Sequence, residues 1–350
     1  MKKTSSRNPH RLWFRLAALA CLIALSAVLG CWSRSAEEVV VYAALDREFS
    51  EPLLQEFERR TGIRVLAKYD VESTKTVGLV NALIQERSRP RCDVFWNNEI
   101  LHTLRLERLG LLAACPTPRA ASFPPEYRSP HDTWHGFAAR VRVLIVNTDL
   151  VPAAARPRSI HDLVDPQWKD RVGIAKPLFG TTATHAAVLF AAWGEEEAQR
   201  FFQRLKDNAR VLGGNKQVAL AVGRGELAFG LTDTDDAIIE QELGRPVEMI
   251  YPDQADDGWG ALFIPNTLAV IRGGPNPQAA GRLVDYLLSP EIEAQLAAGR
   301  SAQFPLNPHV STTCRAAPQQ ALRHMTVDFS AAAAAWDSAA TFIRDLFSVD

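Results

Sequence analysis

Three times between residues 39 and 100, a short apolar or β-branched run ends in polar residues and gives way to apolar positions at helical spacing. Val39-Val40-Val41-Tyr42-Ala43-Ala44 leads through Asp46 and Ser50 into Leu53, Leu54 and Phe57. Thr61-Gly62 stops that helix, Ile63 to Ala67 starts a second strand, and Ser73-Thr74 opens a helix through Val77, Leu79, Leu83 and Ile84. Cys92-Asp93-Val94-Phe95-Trp96 is a third strand, ending in Asn97-Asn98-Glu99 before another helix. Strands joined through helices lie parallel with helices on both faces of the sheet. Such sheets bind ligands in the crevice at the carboxyl ends of their strands, where Asp46 and Glu99 fall.

A Pro-rich stretch from Pro116 to Pro130 precedes Gly136 to Asn147, a strand long enough to pass from one domain to another. Arg171 to Ala175, the loop Phe179-Gly180-Thr181-Thr182-Ala183-Thr184, and the strand Leu227 to Leu231 with its following Thr232-Asp233-Thr234-Asp235-Asp236 form a second α/β unit. Ile264 to Ile271 returns the chain, and helices over 279–288, 290–298 and 330–347 complete the first unit. The expected organisation has residues 39–139 with 271–350 as lobe 1, 147–263 as lobe 2, and 140–147 and 264–271 as crossing hinge strands. Each lobe is a sheet flanked by helices, and the crevice between them can close on a solute.

The N-terminus carries Lys2, Lys3, Arg7, Arg11 and Arg15 and then an apolar run from Leu16 to Leu29, the order of a secretory signal. It ends in Val28-Leu29-Gly30-Cys31, which resembles the lipobox of bacterial lipoproteins and implies cleavage after residue 30 and acylation of Cys31. An ordinary secretory signal and a retained anchor helix are the alternatives. All three place the folded part outside the cytoplasm. The formal net charge of −1, with no long block of one sign, excludes nucleic acid and an anionic membrane surface as partners. Cys92, Cys115 and Cys314 would remain in the mature chain beside Cys31, with a Cys92–Cys115 disulfide open and no zinc-site spacing.

Val41-Tyr42-Ala43-Ala44-Leu45-Asp46, Asp93-Val94-Phe95-Trp96, Arg140 to Asn147, Gly225 to Gly230 and Ile264-Pro265-Asn266-Thr267 together resemble the ferric-iron-type family of ABC transporter solute-binding proteins across nearly the whole mature chain. The resemblance implies a two-lobed periplasmic-binding-protein fold of type II. It also implies an extracytoplasmic protein that delivers a small solute to a membrane permease driven by an ATPase. Relatives take ferric iron, thiamine or aminophosphonates. The adjacent tyrosines of the ferric binders are replaced here by Thr232-Asp233-Thr234-Asp235-Asp236, so iron has to rest on carboxylates.

The expected ligand set is Asp46, Ser73, Thr74, Trp96, Asn98, Glu99, Arg140, Thr181, Thr182, Asn215, Thr232, Asp233 and Asp235. Carboxylates of Asp46, Glu99, Asp233 and Asp235 suit a hard metal ion or an ammonium group; helix capping is the plainer role for the Asp cluster. Ser73-Thr74 and Thr181-Thr182 stand at helix starts, which attract anions, and Arg140 or Arg142 adds a guanidinium unless engaged in a surface ion pair. Trp96 either closes over an organic cation or fills the core, and His185 reads as a packed histidine. Ferric iron with an anion is the favoured cargo, and a zwitterion such as 2-aminoethylphosphonate or an organic cation such as thiamine the alternative. No covalent cofactor is expected, and the protein should be a lipid-anchored monomer of the periplasm or cell envelope. A secreted hydrolase or transferase is the remote alternative, for which no nucleophile elbow, His-Glu-x-x-His, P-loop or dinucleotide fingerprint is found.

Overall fold

The computed structural model describes residues 37–70 and 76–347. Cys31 with the leader, and Ser73 with Thr74, lie outside the described residues. The first unit runs β1 (Glu38–Ala43), α1 (Arg47–Thr61), β2 (Arg64–Tyr69), α2 (Val77–Gln85), β3 (Val94–Asn97), α3 (Leu101–Arg108) and the short β4 (Leu112–Ala113). Gly62 ends α1 in the left-handed region, φ 72°, its N–H returning to the Glu58 carbonyl. Strands β2, β1 and β3 pair in parallel, as the alternating strand and helix signals require.

β5 (His135–Asn147) is buried along all 13 residues. The second unit follows: β6 (Val172–Ala175), α4 (Gly180–Trp193), α5 (Glu195–Asn208), β7 (Ala209–Leu212), α6 (Asn215–Gly223), β8 (Phe229–Asp233), α7 (Thr234–Glu242) and β9 (Val247–Ile250). β10 (Phe263–Ile271) then returns to the first sheet, followed by α8 (Pro277–Leu287), α9 (Pro290–Ala298) and α10 (Phe329–Phe347). The strand order is β2-β1-β3-β10-β5-β8-β6-β7. β5 belongs to both halves: residues 135–141 pair with β10, and residues 142–147 pair with β8 and β9. The register slips between Pro265 and Asn266, leaving Ala138 as an extra residue at φ 43°. The Asn266 amide donates to the Ala138 carbonyl, and buried Glu293 accepts the Ala138 N–H at 2.7 Å, so the N–H and carbonyl of the extra residue are both engaged.

One expectation changes here, and the pairing left open between Cys92 and Cys115 is absent. The C-terminal helix, assigned to the first lobe, packs most extensively on second-lobe α4 and also lies on α5 and on first-lobe α3. Phe342 meets Phe190 of α4 at 5.8 Å, Lys206 of α5 donates to the Leu346 carbonyl, and Arg108 of α3 donates to the Ala333 carbonyl. The alanines that made its face hard to read allow this close, two-sided packing. Cys92 and Cys115 are both free thiols, because they sit in apolar clusters on opposite faces of the sheet.

Gly230 of β8 lets α6 come down onto the sheet. A Cβ there would stand 2.5 Å from Val218 Cγ1 and 2.8 Å from the Gly173 carbonyl oxygen, and the backbone atom cannot swing aside. Gly230→Ala is therefore expected to destabilise the fold by about 1–3 kcal/mol, read as a lower denaturant midpoint at unchanged slope.

Candidate functional site

Arg140 and Arg142 stand two residues apart on β5 and so share a face. Cross-strand pairing sets Arg142 opposite Asp233 at the end of β8. Asp233 is fully buried. Its Oδ1 accepts from Arg142 Nη1 at 2.7 Å, and its Oδ2 from Thr181 Oγ1 at 2.6 Å, Asn215 Nδ2 at 3.0 Å and Arg140 Nη1 at 3.2 Å. Burial alone would raise its pKa, but Arg142, Arg140 and the Thr181 hydroxyl outweigh that and hold it below the usual carboxylate range. Although Asp233 is the N-cap residue of α7, its side chain makes no capping bond; the arginines take it instead. Arg140 also donates through Nη2 to the Asn98 carbonyl at 2.6 Å and lies 3.7 Å from Asp235 Oδ2. Burial opposes its charge, while Asp233, Asp235, Asp46 and Asp236 push its pKa upward.

Beside this network is a small cavity of about 30 Å³ between the lobes, bordered by Asn98, Arg140, Lys176, Thr181, Thr182 and Asn215, with Gly180, Gly213 and Gly214 supplying backbone. Two helices, α4 and α6, begin at its wall, and neither start is capped by a side chain. Uncapped helix starts offer N–H groups and partial positive charge, and Arg140 and Lys176 add full charges. Thr182 Oγ1 donates to Asn215 Oδ1 at 3.0 Å, and Thr232 Oγ1 holds the Asn215 carbonyl at 3.0 Å, fixing the α6 start. The arrangement is suited to an anion. Through Arg140 the cavity wall connects to Asp233, Asp235 and Asp236, which each bring one oxygen within 4.8 Å of the others.

Other expected residues are placed differently. Trp96 is fully buried in the core, its ring 5.6 Å from that of Phe137, because strand alternation turns it with Val94 into the apolar cluster that includes Phe57 of α1 and Leu283 of α8. Glu99 is also fully buried and takes donors from Asn97, Leu101, His102 and Thr184, so its oxygens are engaged inside the protein. Burial pushes its pKa up, but the His102 charge and these bonds leave it lowered. Asp46 sits at the N-cap of α1, near enough for its charge to act on Arg140. His185 is packed, as expected, and burial with Arg142 nearby depresses its pKa to about 3. Lys176, the Gly213-Gly214 pair, Thr76 holding Asn98 Oδ1 at 2.8 Å, and Thr184 were missed. The first two were detectable as a cation and a glycine pair directly after strands of the second unit, where ligand loops lie.

A family described as bacterial extracellular solute-binding protein matches residues 103–332. This chain belongs to that family. Over 301 residues the solute-binding protein is 26% identical to the major ferric iron-binding protein of Neisseria meningitidis serogroup A, covering 84% of this chain and 88% of the relative. It is 24% identical over 291 residues to a putative 2-aminoethylphosphonate-binding periplasmic protein of Salmonella typhi, covering 81% of this chain and 82% of that one. The crystal structure of apo ferric ion-binding protein A from Pasteurella haemolytica shares the fold, with a TM-score of 0.80 at 20% identity, covering 90% of this chain and 99% of that chain. The fold is thus the two-lobed type II architecture. The protein is a solute-binding protein rather than an enzyme, of the family that supplies the substrate-binding component of ABC importers outside the cytoplasm. No helix among the described residues is long and apolar enough to cross a membrane.

Asp233→Asn leaves two buried guanidinia without their main counter-charge and is expected to cost on the order of 3–5 kcal/mol. The pH profile separates this from packing. Because folding lowers the Asp233 pKa, its contribution is present above about pH 4 and lost as the pH falls further. In the variant that acid limb of urea-melt stability disappears. The variant keeps an earlier loss between pH 6.5 and about 3 as the unfolded chain protonates His185, whose folded pKa is depressed.

Proposed function

We propose that this protein traps a small solute in the cleft between its lobes and hands it to an ABC permease, with ferric iron or a related metal complex as the favoured cargo. The observation that carries the reading is that Arg140, a cation of the cavity wall, is bonded to Asp233 and lies 3.7 Å from Asp235, so an anion cradle and a cluster of three carboxylates meet at one side chain. A bare cation would have to displace a guanidinium already bonded to Asp233. A metal arriving with its anion gives Arg140 and the two helix starts a partner, and the metal itself would exchange with the present partners of the Asp233, Asp235 and Asp236 oxygens. The ferric iron-binding relative from Neisseria supports this reading.

A second reading, a phosphonate zwitterion, draws support from the two buried arginines on Asp233 and from the Thr232-Asp233-Thr234-Asp235-Asp236 segment without tyrosines. Its phosphonate would sit on Lys176, Thr181, Thr182 and Asn215, and its ammonium at the carboxylates. The 2-aminoethylphosphonate relative points the same way. A flat cation such as thiamine loses its aromatic wall, since Trp96 is core.

Closure would turn on residues 140–147 and 264–271, lobe 1 (39–139 and 271–328) moving against lobe 2 (147–263), with α10 carried on the second lobe. The mature protein is read as a monomer anchored by acylated Cys31, its partners being the permease and its cytoplasmic ATPase.

Thermal unfolding of ligand-stripped protein from residue 32 onward decides between cargoes. Ferric citrate, or ferric ion with phosphate, is expected to raise the midpoint well beyond phosphate alone, a ligand at 100 times its Kd adding about 2.7 kcal/mol. A rise with 2-aminoethylphosphonate and none with iron would select the second reading. Expressed with its own leader, the Cys31→Ser protein is expected in the soluble envelope fraction while the parent sediments with membranes.

A further inference from the structure

We infer that Glu99 and Thr184 form a lock between the lobes and are positioning residues for capture, not contacts of the solute. The inference rests on the trap reading above. Glu99 Oε2 accepts from the Leu101 N–H at 2.6 Å and from Thr184 Oγ1 at 3.0 Å; its Oε1 accepts from Asn97 Nδ2 at 2.8 Å and lies 3.1 Å from both the N–H and Nδ1 of His102. Asn97, Leu101 and His102 move with Glu99, since they belong to β3, α3 and the turn between them. Thr184 does not, because it stands on α4 of the other lobe.

Opening the cleft therefore removes one donor from a buried carboxylate and leaves the first-lobe donors in place. The separated hydroxyl has a fallback, since Thr184 Oγ1 is already 3.2 Å from the Gly180 carbonyl of its own helix. The bond thus exists only when the lobes meet, which makes it a term in the closing equilibrium. The same seam is spanned by α10, whose Trp336 ring lies edge-on to His102 at 5.4 Å. Asn98, next to Glu99, lines the cleft and holds Arg140 through its carbonyl, so the lock also sets one wall of the site.

Amide hydrogen exchange of the unliganded mature protein tests this, because it reads even a minor open population. Thr184→Val keeps the shape and removes the donor, and Thr184→Ser restores it. Expected for Thr184→Val is exchange about ten-fold or more faster at residues 98–102, the loss of one hydrogen bond to a charged group. Residues 232–235, linked to Asn98 through Arg140, should accelerate with them, while the core strand Val39 to Val41 stays unchanged. Thr184→Ser should exchange like the parent. Unchanged exchange at 98–102, acceleration there without 232–235, or equal acceleration in Thr184→Ser would each overturn the lock. No solute is present in this measurement, so failure of ferric citrate or 2-aminoethylphosphonate to bind would count against the trap reading alone.

Discussion

A carboxylate removed from water stays ionised only if fixed donors and cations replace the solvent, and Asp233 has two arginines, a threonine hydroxyl and an amide doing so at once. Those groups come from three separate parts of the chain. The arginines need the register of β5 against β8, Thr181 needs α4 to begin where it does, and Asn215 needs α6 pressed onto Gly230. A slip of one residue in β5 would turn both guanidinia to the other face. The network is thus a statement about the alignment of the whole second lobe, and the crossing strand ties that alignment to the first.

The same network decides what the cleft can recognise. With Asp233 neutralised from within, the cavity wall presents cations and helix starts, and the carboxylates of the Asp cluster connect to it through Arg140, which is bonded elsewhere too. An anion, or the anionic part of a larger solute, is what such a wall meets first. A cation enters only by exchanging with groups that already hold the carboxylates.

Much of the fold was legible from local pattern. The runs at 39–44 and 92–96, the Gly62 stop and the long strand through Asn147 are signals that periodicity and turn chemistry carry within a few residues. The shared face of Arg140 and Arg142 follows from alternation, and the Asp cluster was visible as a cluster. What the cluster does was not, because its partners lie 91 and 93 residues away across a strand pair. Trp96 could not be assigned to a face because β3 is buried at all four positions and shows no alternation of polarity. The last helix was misplaced for a related reason: an alanine-rich segment has no long side chains to indicate which neighbour it meets, and its partner is written in Phe190 and Arg108, far upstream.

The position of α10 has a consequence for how the lobes can part. Its residues 329–347 cover apolar surface on α4 and α5 and bridge to α3, where Arg108 donates to the Ala333 carbonyl. A motion that carries α10 with α4 has to break that bridge. A helix that lines none of the cleft cavity thus sets part of the resistance to opening, and substitutions along its α3 side would retune the trap without touching the site.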